Sequence, residues 1–176
     1  MEFKVEFNAA QIVAGHQEDG ILMDTIAVYE NHTAASLCEQ ALARRNKLES
    51  VNFPAVTRVG TYALYQCYAL KSVRLPVAEF IGFGAFMYCE ALERVRFPSV
   101  KNINGSAFRY CSSLTAFIIE QSDSVCSISA AAFSDTPIAN GTGFVYVPDK
   151  LVDGYKKATN WSTYAAQIKP LSELSE

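Results

Sequence analysis

The sequence predicts a solenoid, mostly β, in which each 22-residue segment makes one coil and lays one strand parallel to the last. Two observations predict it. The segments LESVNFPAVTRVGTYALYQCYA from Leu48, LKSVRLPVAEFIGFGAFMYCEA from Leu70 and LERVRFPSVKNINGSAFRYCSS from Leu92 align without a gap at a 22-residue spacing. A period of that length marks a stacked repeat, whose apolar positions stay open to water until a neighbouring coil covers them. The second observation is a short alternation inside each copy, Ser50-Val51-Asn52-Phe53 in the first, which fits a strand with one buried face. Composition agrees, since 176 residues that are 50% hydrophobic and 19% charged suit a globular chain with one sizeable core.

Each element follows from the pattern. Phe3, Val5 and Phe7 alternate with charges and suggest a first strand, so residues 1–25 read as an N-terminal strand and cap, opaque over residues 9–24. The repeats occupy residues 26–137 in four to five copies. The copy from Ile26 is degenerate and keeps Leu37 and Ala41-Leu42 in register. In the strands, Val51, Val73, Val95 and Phe117 are expected to form one buried column in one sheet. Pro54, Pro76 and Pro98 end the strands, because proline removes a ladder donor. A second apolar run follows, Val56, Val59, Ala63 and Leu64 in the first full copy, with Gly60 and Gly82 expected to turn the chain at positive φ. The copy from Leu114 lacks the proline and reaches Ala132-Phe133 three residues late, which places an insertion near residues 121–124. Residues 138–176 read as a closing strand and helical cap. Val145 and Val147 form the strand, Asp149 is the expected N-cap of a helix carrying Leu151, Val152 and Tyr155, and Trp161 covers the open end of the core.

The consensus L-x-x-V-x-F-P-x-V-x-x-I-G-x-x-A-F-x-x-C-x-x resembles the BspA-type (Treponema-type) leucine-rich repeat over residues 26–148. It departs from that pattern at Arg45, which stands in the cysteine slot, and at residues 129–131, where the register shifts. The resemblance implies a leucine-rich-repeat solenoid. The end of the chain is similar to tails that close such repeats in gut-bacterial and prophage proteins. That likeness implies a recognition protein of the bacterial surface or of a phage tail.

Most chemistry is unsupported by the residues. A net charge of −3 and a pI near 5.5 argue against binding nucleic acid through phosphate contacts. The longest uncharged run, residues 136–148, is too short for a membrane span, and the charged MEFKVEF start encodes no secretory signal. His16 and His32 stand apart from any ligand or catalytic cluster, and no phosphate-loop, nucleophile-elbow or EF-hand motif occurs. Cys67, Cys89 and Cys111 recur at the repeat spacing. They should stack as a straight column of buried, reduced thiols, which cannot converge on a metal and would strand one member if two were bridged. Neither metal nor cofactor is expected, and the chain reads as non-enzymatic.

Comparing copies shows which positions the coil leaves free. Phe80 occupies the slot of Arg58 and Asn102, and Phe83 that of Thr61 and Gly105, so both are candidate exposed aromatics. Tyr62, Tyr65, Tyr68, Met87, Tyr88 and Tyr110 lie at similarly permissive positions, and aromatic and methionine side chains are favoured in binding patches. The competing reading is rings stacked between coils. Outward strand positions supply a second set: Ser50 and Asn52, Ser72 and Arg74, Arg94 and Arg96, Ala116 and Ile118. Arg74 and Arg96 are candidate contacts there, unless Glu49 and Glu93 neutralise the arginines on a solvated face. The function expected is a binding or adhesion module for a protein or cell-surface ligand. The alternative is an assembly component that self-associates through its aromatics.

Overall fold

A computed structural model describes residues 4–6, 28–121 and 123–175. The chain winds as a stack of coils, and five successive coils carry both a front and a back strand. The front strands are β1 (Lys4–Glu6), β2 (Val28–Glu30), β4 (Ser50–Asn52), β6 (Ser72–Arg74), β8 (Arg94–Phe97), β10 (Ala116–Ile119), β12 (Phe144–Val147) and β13 (Ile168–Pro170). Two-residue back strands alternate with them: β3 (Ser36–Leu37), β5 (Arg58–Val59), β7 (Phe80–Ile81), β9 (Asn102–Ile103) and β11 (Ser127–Ile128). All recorded pairings are parallel, and the back strands form one sheet in the order β11-β9-β7-β5-β3. Arg58 pairs with Phe80 and Phe80 with Asn102, so the 22-residue register holds from coil to coil. Ser127 pairs with Asn102, three residues beyond that register, as the insertion requires. Gln121 closes the insertion, its amide donating to the Ser124 carbonyl at 2.7 Å.

The front is not the single sheet expected. It divides into β1-β2-β4-β6 and β8-β10-β12-β13. Val51 faces Val73 and Val95 faces Phe117, but no ladder joins β6 to β8. Val73 is only half-buried, whereas Val51 and Val95 are 2% exposed and Phe117 is sealed. The charges explain the break. Continuing the register would set Arg74 directly opposite Arg96, and like charges so placed destabilise a strand pair. At the intact ladders Arg74 faces Asn52 and Arg96 faces Ile118.

Gly60 and Gly82 do not have the positive φ expected of them. Their role is close approach: a Cβ on Gly60 would stand 2.6 Å from the Leu37 carbonyl oxygen, and one on Gly82 2.6 Å from the Gly60 backbone. The left-handed positions lie further along, two per coil, at Tyr62 and Gln66, then Gly84 and Tyr88, then Ser106 and Tyr110. Between the front and back strands runs a spine of rings. Phe86 stacks on Phe108 at 5.1 Å, and Phe117 and Phe133 follow at 5.0 and 4.8 Å. Trp161 closes the spine against Phe133 and Tyr155 and is fully buried, as the sequence suggests.

Three further expectations are corrected. Asp149 opens a 3-10 turn, Asp149–Leu151, ahead of α1 (Val152–Lys157), and caps neither. Its carboxylate accepts the Ser172 N–H at 3.1 Å, and the Ser172 contact is the largest cause holding its pKa below the usual carboxylate value. Ala116 and Ile118 do not face water. After β13 the chain returns across β12 and β10 until Arg94 donates to the Ser175 carbonyl at 3.2 Å, and both side chains are buried. Nor do Glu49 and Glu93 answer Arg96. Glu120 does, at 2.5 Å, while Glu49 pairs with Lys71 at 3.1 Å. Phe3, Phe7, His16 and residues 9–24 lie outside the described residues.

Candidate binding surface

A ridge of aromatic side chains crosses the turns that follow the back strands. In each coil the chain passes through two left-handed residues there, one on either side of an inward-facing pair. Ala63-Leu64, Ala85-Phe86 and Ala107-Phe108 point in and are fully buried. Their flanking tyrosines point out. Tyr62 meets Tyr65 at 5.3 Å and Phe83 at 5.5 Å, both edge to face. Tyr65 meets Tyr88 at 5.9 Å, and Tyr88 stacks on Tyr110 at 4.5 Å. Such pairs add about 0.5–1.5 kcal/mol each beyond area burial, so the ridge is ordered before any partner arrives. Arg109 fixes its far end, 4.6 Å over the Tyr110 ring and 3.1 Å from Asp135. The Tyr88 hydroxyl titrates above the ordinary tyrosine value, chiefly through desolvation and then through Tyr110 and Tyr65.

The rings lie on glycine floors. A Cβ on Gly84 would come within 2.5 Å of the Tyr62 ring, and one on Gly105 would meet Phe83 at 3.5 Å. This supports half of the stacking alternative, since the tyrosine rings are partly covered by one another. Phe83 and Tyr68 are nonetheless 43% and 37% exposed. Beside them Gln40, Arg44, Tyr62, Tyr65 and Met87 line a concavity of about 240 Å³. Gln40 and Arg44 went unread in the sequence because their copy is degenerate. Counting back 22 residues from Tyr62 and Gln66 reaches them.

The structure thus brings together Tyr62, Tyr65, Phe83, Met87, Tyr88 and Tyr110. It separates Phe80, which lies on back strand β7 under the Arg58 guanidinium, 4.2 Å from the ring centre. Arg74 and Arg96 are elsewhere again, flanking the break in the front sheet, where they line a cleft of about 470 Å³ with Val73, Leu75, Pro76 and Pro98.

The thiols form the column expected. Cys67, Cys89 and Cys111 are fully buried and unbridged, and each donates to a carbonyl 25 residues earlier, of Leu42, Leu64 and Phe86, at 3.1–3.3 Å. Desolvation pushes Cys67 and Cys111 up to about 12 and Cys89 well above its usual value. Among the described residues no three metal-ligating side chains converge, and no helix is long and apolar enough to cross a membrane.

Parallel front strands, short back strands and stacked columns of leucine, phenylalanine and cysteine define a leucine-rich-repeat solenoid. The chain belongs to the BspA-type family of such repeats: residues 32–146, more than half its length, match the BspA type leucine rich repeat region in six copies. This is a non-enzymatic repeat family, and six copies exceed the four to five read from spacing. Two solved structures share the fold. A leucine-rich repeat protein from Bacteroides ovatus is 20% identical with a TM-score of 0.58, over 96% of this chain and 42% of that one. A leucine rich cell surface protein from Faecalibacterium prausnitzii is 18% identical with a TM-score of 0.55, over 96% and 50%. The chain therefore spans half or less of these two proteins. A search of the curated proteins finds none that matches.

Proposed function

We propose that the protein is a non-enzymatic binding module that takes a protein or cell-surface partner on the ridge of Tyr62, Tyr65, Phe83, Met87, Tyr88 and Tyr110. One observation carries this. Tyr62, Tyr88 and Tyr110 sit at left-handed φ, between 54° and 65°, where Gly84, Ser106 and Gln66 serve other coils. A bulky residue there costs of order 1–3 kcal/mol and persists where the side chain is needed. An adhesive role at a bacterial surface or phage tail fits the family resemblance and the solved surface protein.

Tyr62→Ser with Phe83→Thr tests the reading, because both new residues already fill the same slots at Ser106 and Thr61. Folding should be nearly unchanged, while affinity for a partner should fall by about 30-fold or more, some 2 kcal/mol. Unchanged affinity for every partner removes the ridge from recognition. If the partner is a second copy, sedimentation will show the wild type associating and the variant monomeric.

A further inference from the structure

The break between β6 and β8 is a second recognition element, separate from the ridge, and we infer that it seats an acidic side chain of an extended partner peptide. Three independent features meet there. The first is a set of unpaired backbone groups. Phe53 donates to the Arg74 carbonyl at 2.9 Å, so Arg74 turns its main chain toward β4 and Val73 and Leu75 turn theirs toward β8. Ala116 and Glu120 donate to Glu93 and Phe97 at 3.2 and 3.3 Å, which leaves the main chain of Arg94 and Arg96 facing β6. With no ladder between them, both strands present free N–H groups to the cleft.

The second feature is charge. Arg96 is held by Glu120, and Arg94 by the Ser175 carbonyl, but Arg74 has no ion-pair partner among the described residues. A carboxylate placed between Arg74 and Arg96 would relieve the repulsion that keeps the strands apart and accept backbone N–H bonds as well. Guanidinium groups suit that role, since their forked donors match the two oxygens. The third feature is shape. Val73, Leu75, Pro76 and Pro98 wall the cleft, offering apolar contact to the residues beside the acid.

The cleft does not accept a whole strand. Ala91 donates to the Tyr68 carbonyl at 3.1 Å ahead of it and Ser99 Oγ to the Pro76 carbonyl at 3.0 Å behind it, and these bonds tie the two coils together on either side of the break. A partner enters by a side chain, with its backbone outside.

The test is an amide NMR titration of the whole chain with acetyl-Gly-Val-Glu-Val-Gly-amide, the same peptide carrying Gln, and inorganic phosphate. The Glu peptide should shift the amides of Val73, Leu75 and Arg96 and bind at least fivefold more tightly than the Gln peptide. Arg74→Gln should abolish the shifts and Arg58→Gln, on the opposite sheet, should leave them. Equal binding of both peptides, binding that survives Arg74→Gln, or phosphate that matches the Glu peptide overturns the proposal. Hydrogen exchange gives a second reading: the amides of Val73, Leu75 and Arg96 should exchange at least tenfold faster than those of Phe53 and Ala116, and equal protection also overturns it.

Discussion

Cys67, Cys89 and Cys111 show how one residue type serves a stacked fold. A thiol is small, apolar enough for the interior and able to give a weak hydrogen bond to the coil before it. Burial favours the neutral form, so Cys67 and Cys111 keep their protons to about pH 12 in the folded chain and Cys89 holds its proton well above the usual thiol range, while unfolded thiols release theirs near pH 8.5. The raised folded pKa fixes the sign. The stabilisation is complete below the unfolded value and is lost as pH rises through the folded one, by about 1.4 kcal/mol per pH unit per thiol. Denaturant unfolding at pH 8 to 11 should show that slope, and Cys111→Ala should reduce it by one thiol's share. The column should also react slowly with a thiol reagent until the chain unfolds. Gly60→Ala and Gly82→Ala should each cost about 1–3 kcal/mol in thermal or denaturant unfolding, since their Cβ positions overlap backbone, whereas Gly105→Ala should cost much less.

At the scale of the strand, charge can override register. The sequence places β6 and β8 in step, but the Arg74–Arg96 opposition parts them. Arg74→Asn, which copies the Asn52 slot, should close the ladder and raise hydrogen-exchange protection at Val73 and Arg96 at least tenfold. Protection unchanged would mean that another force opens the cleft. The same contrast governs what was legible in the sequence. Strand positions, the insertion near Gln121 and the thiol column follow from period alone, because stacking repeats them in every coil. The ridge was legible as permissive positions at Tyr62, Phe83 and Tyr88. Phe80 was misjoined to it, since three residues of sequence turn the chain from the back sheet onto the turn. Gln40 and Arg44 were hidden by a degenerate copy. The Arg96–Glu120 pair was missed because it runs diagonally across the ladder, Glu120 standing two residues beyond Ile118, the direct partner of Arg96. The covering of Ile118 depends on the returning tail, which no local pattern encodes.

Across the whole molecule, a solenoid needs its open end covered, and here Trp161 does so. Its indole packs on Phe133 and Tyr155 and donates to the Cys126 carbonyl at 2.6 Å, joining the cap to the last coil. Trp161→Ala should cost about 3–5 kcal/mol and expose the phenylalanine spine, measurable as a lower thermal midpoint. The coils behind that cap hold their surface rings in fixed places, and recognition by the tyrosine ridge is the claim on which the functional reading stands. Its most direct measurement is the partner affinity of Tyr62→Ser/Phe83→Thr beside the wild type, with thermal unfolding run on the same samples. A midpoint within a few degrees and affinity about 30-fold weaker is the predicted result. Equal affinity from an equally folded variant would contradict it.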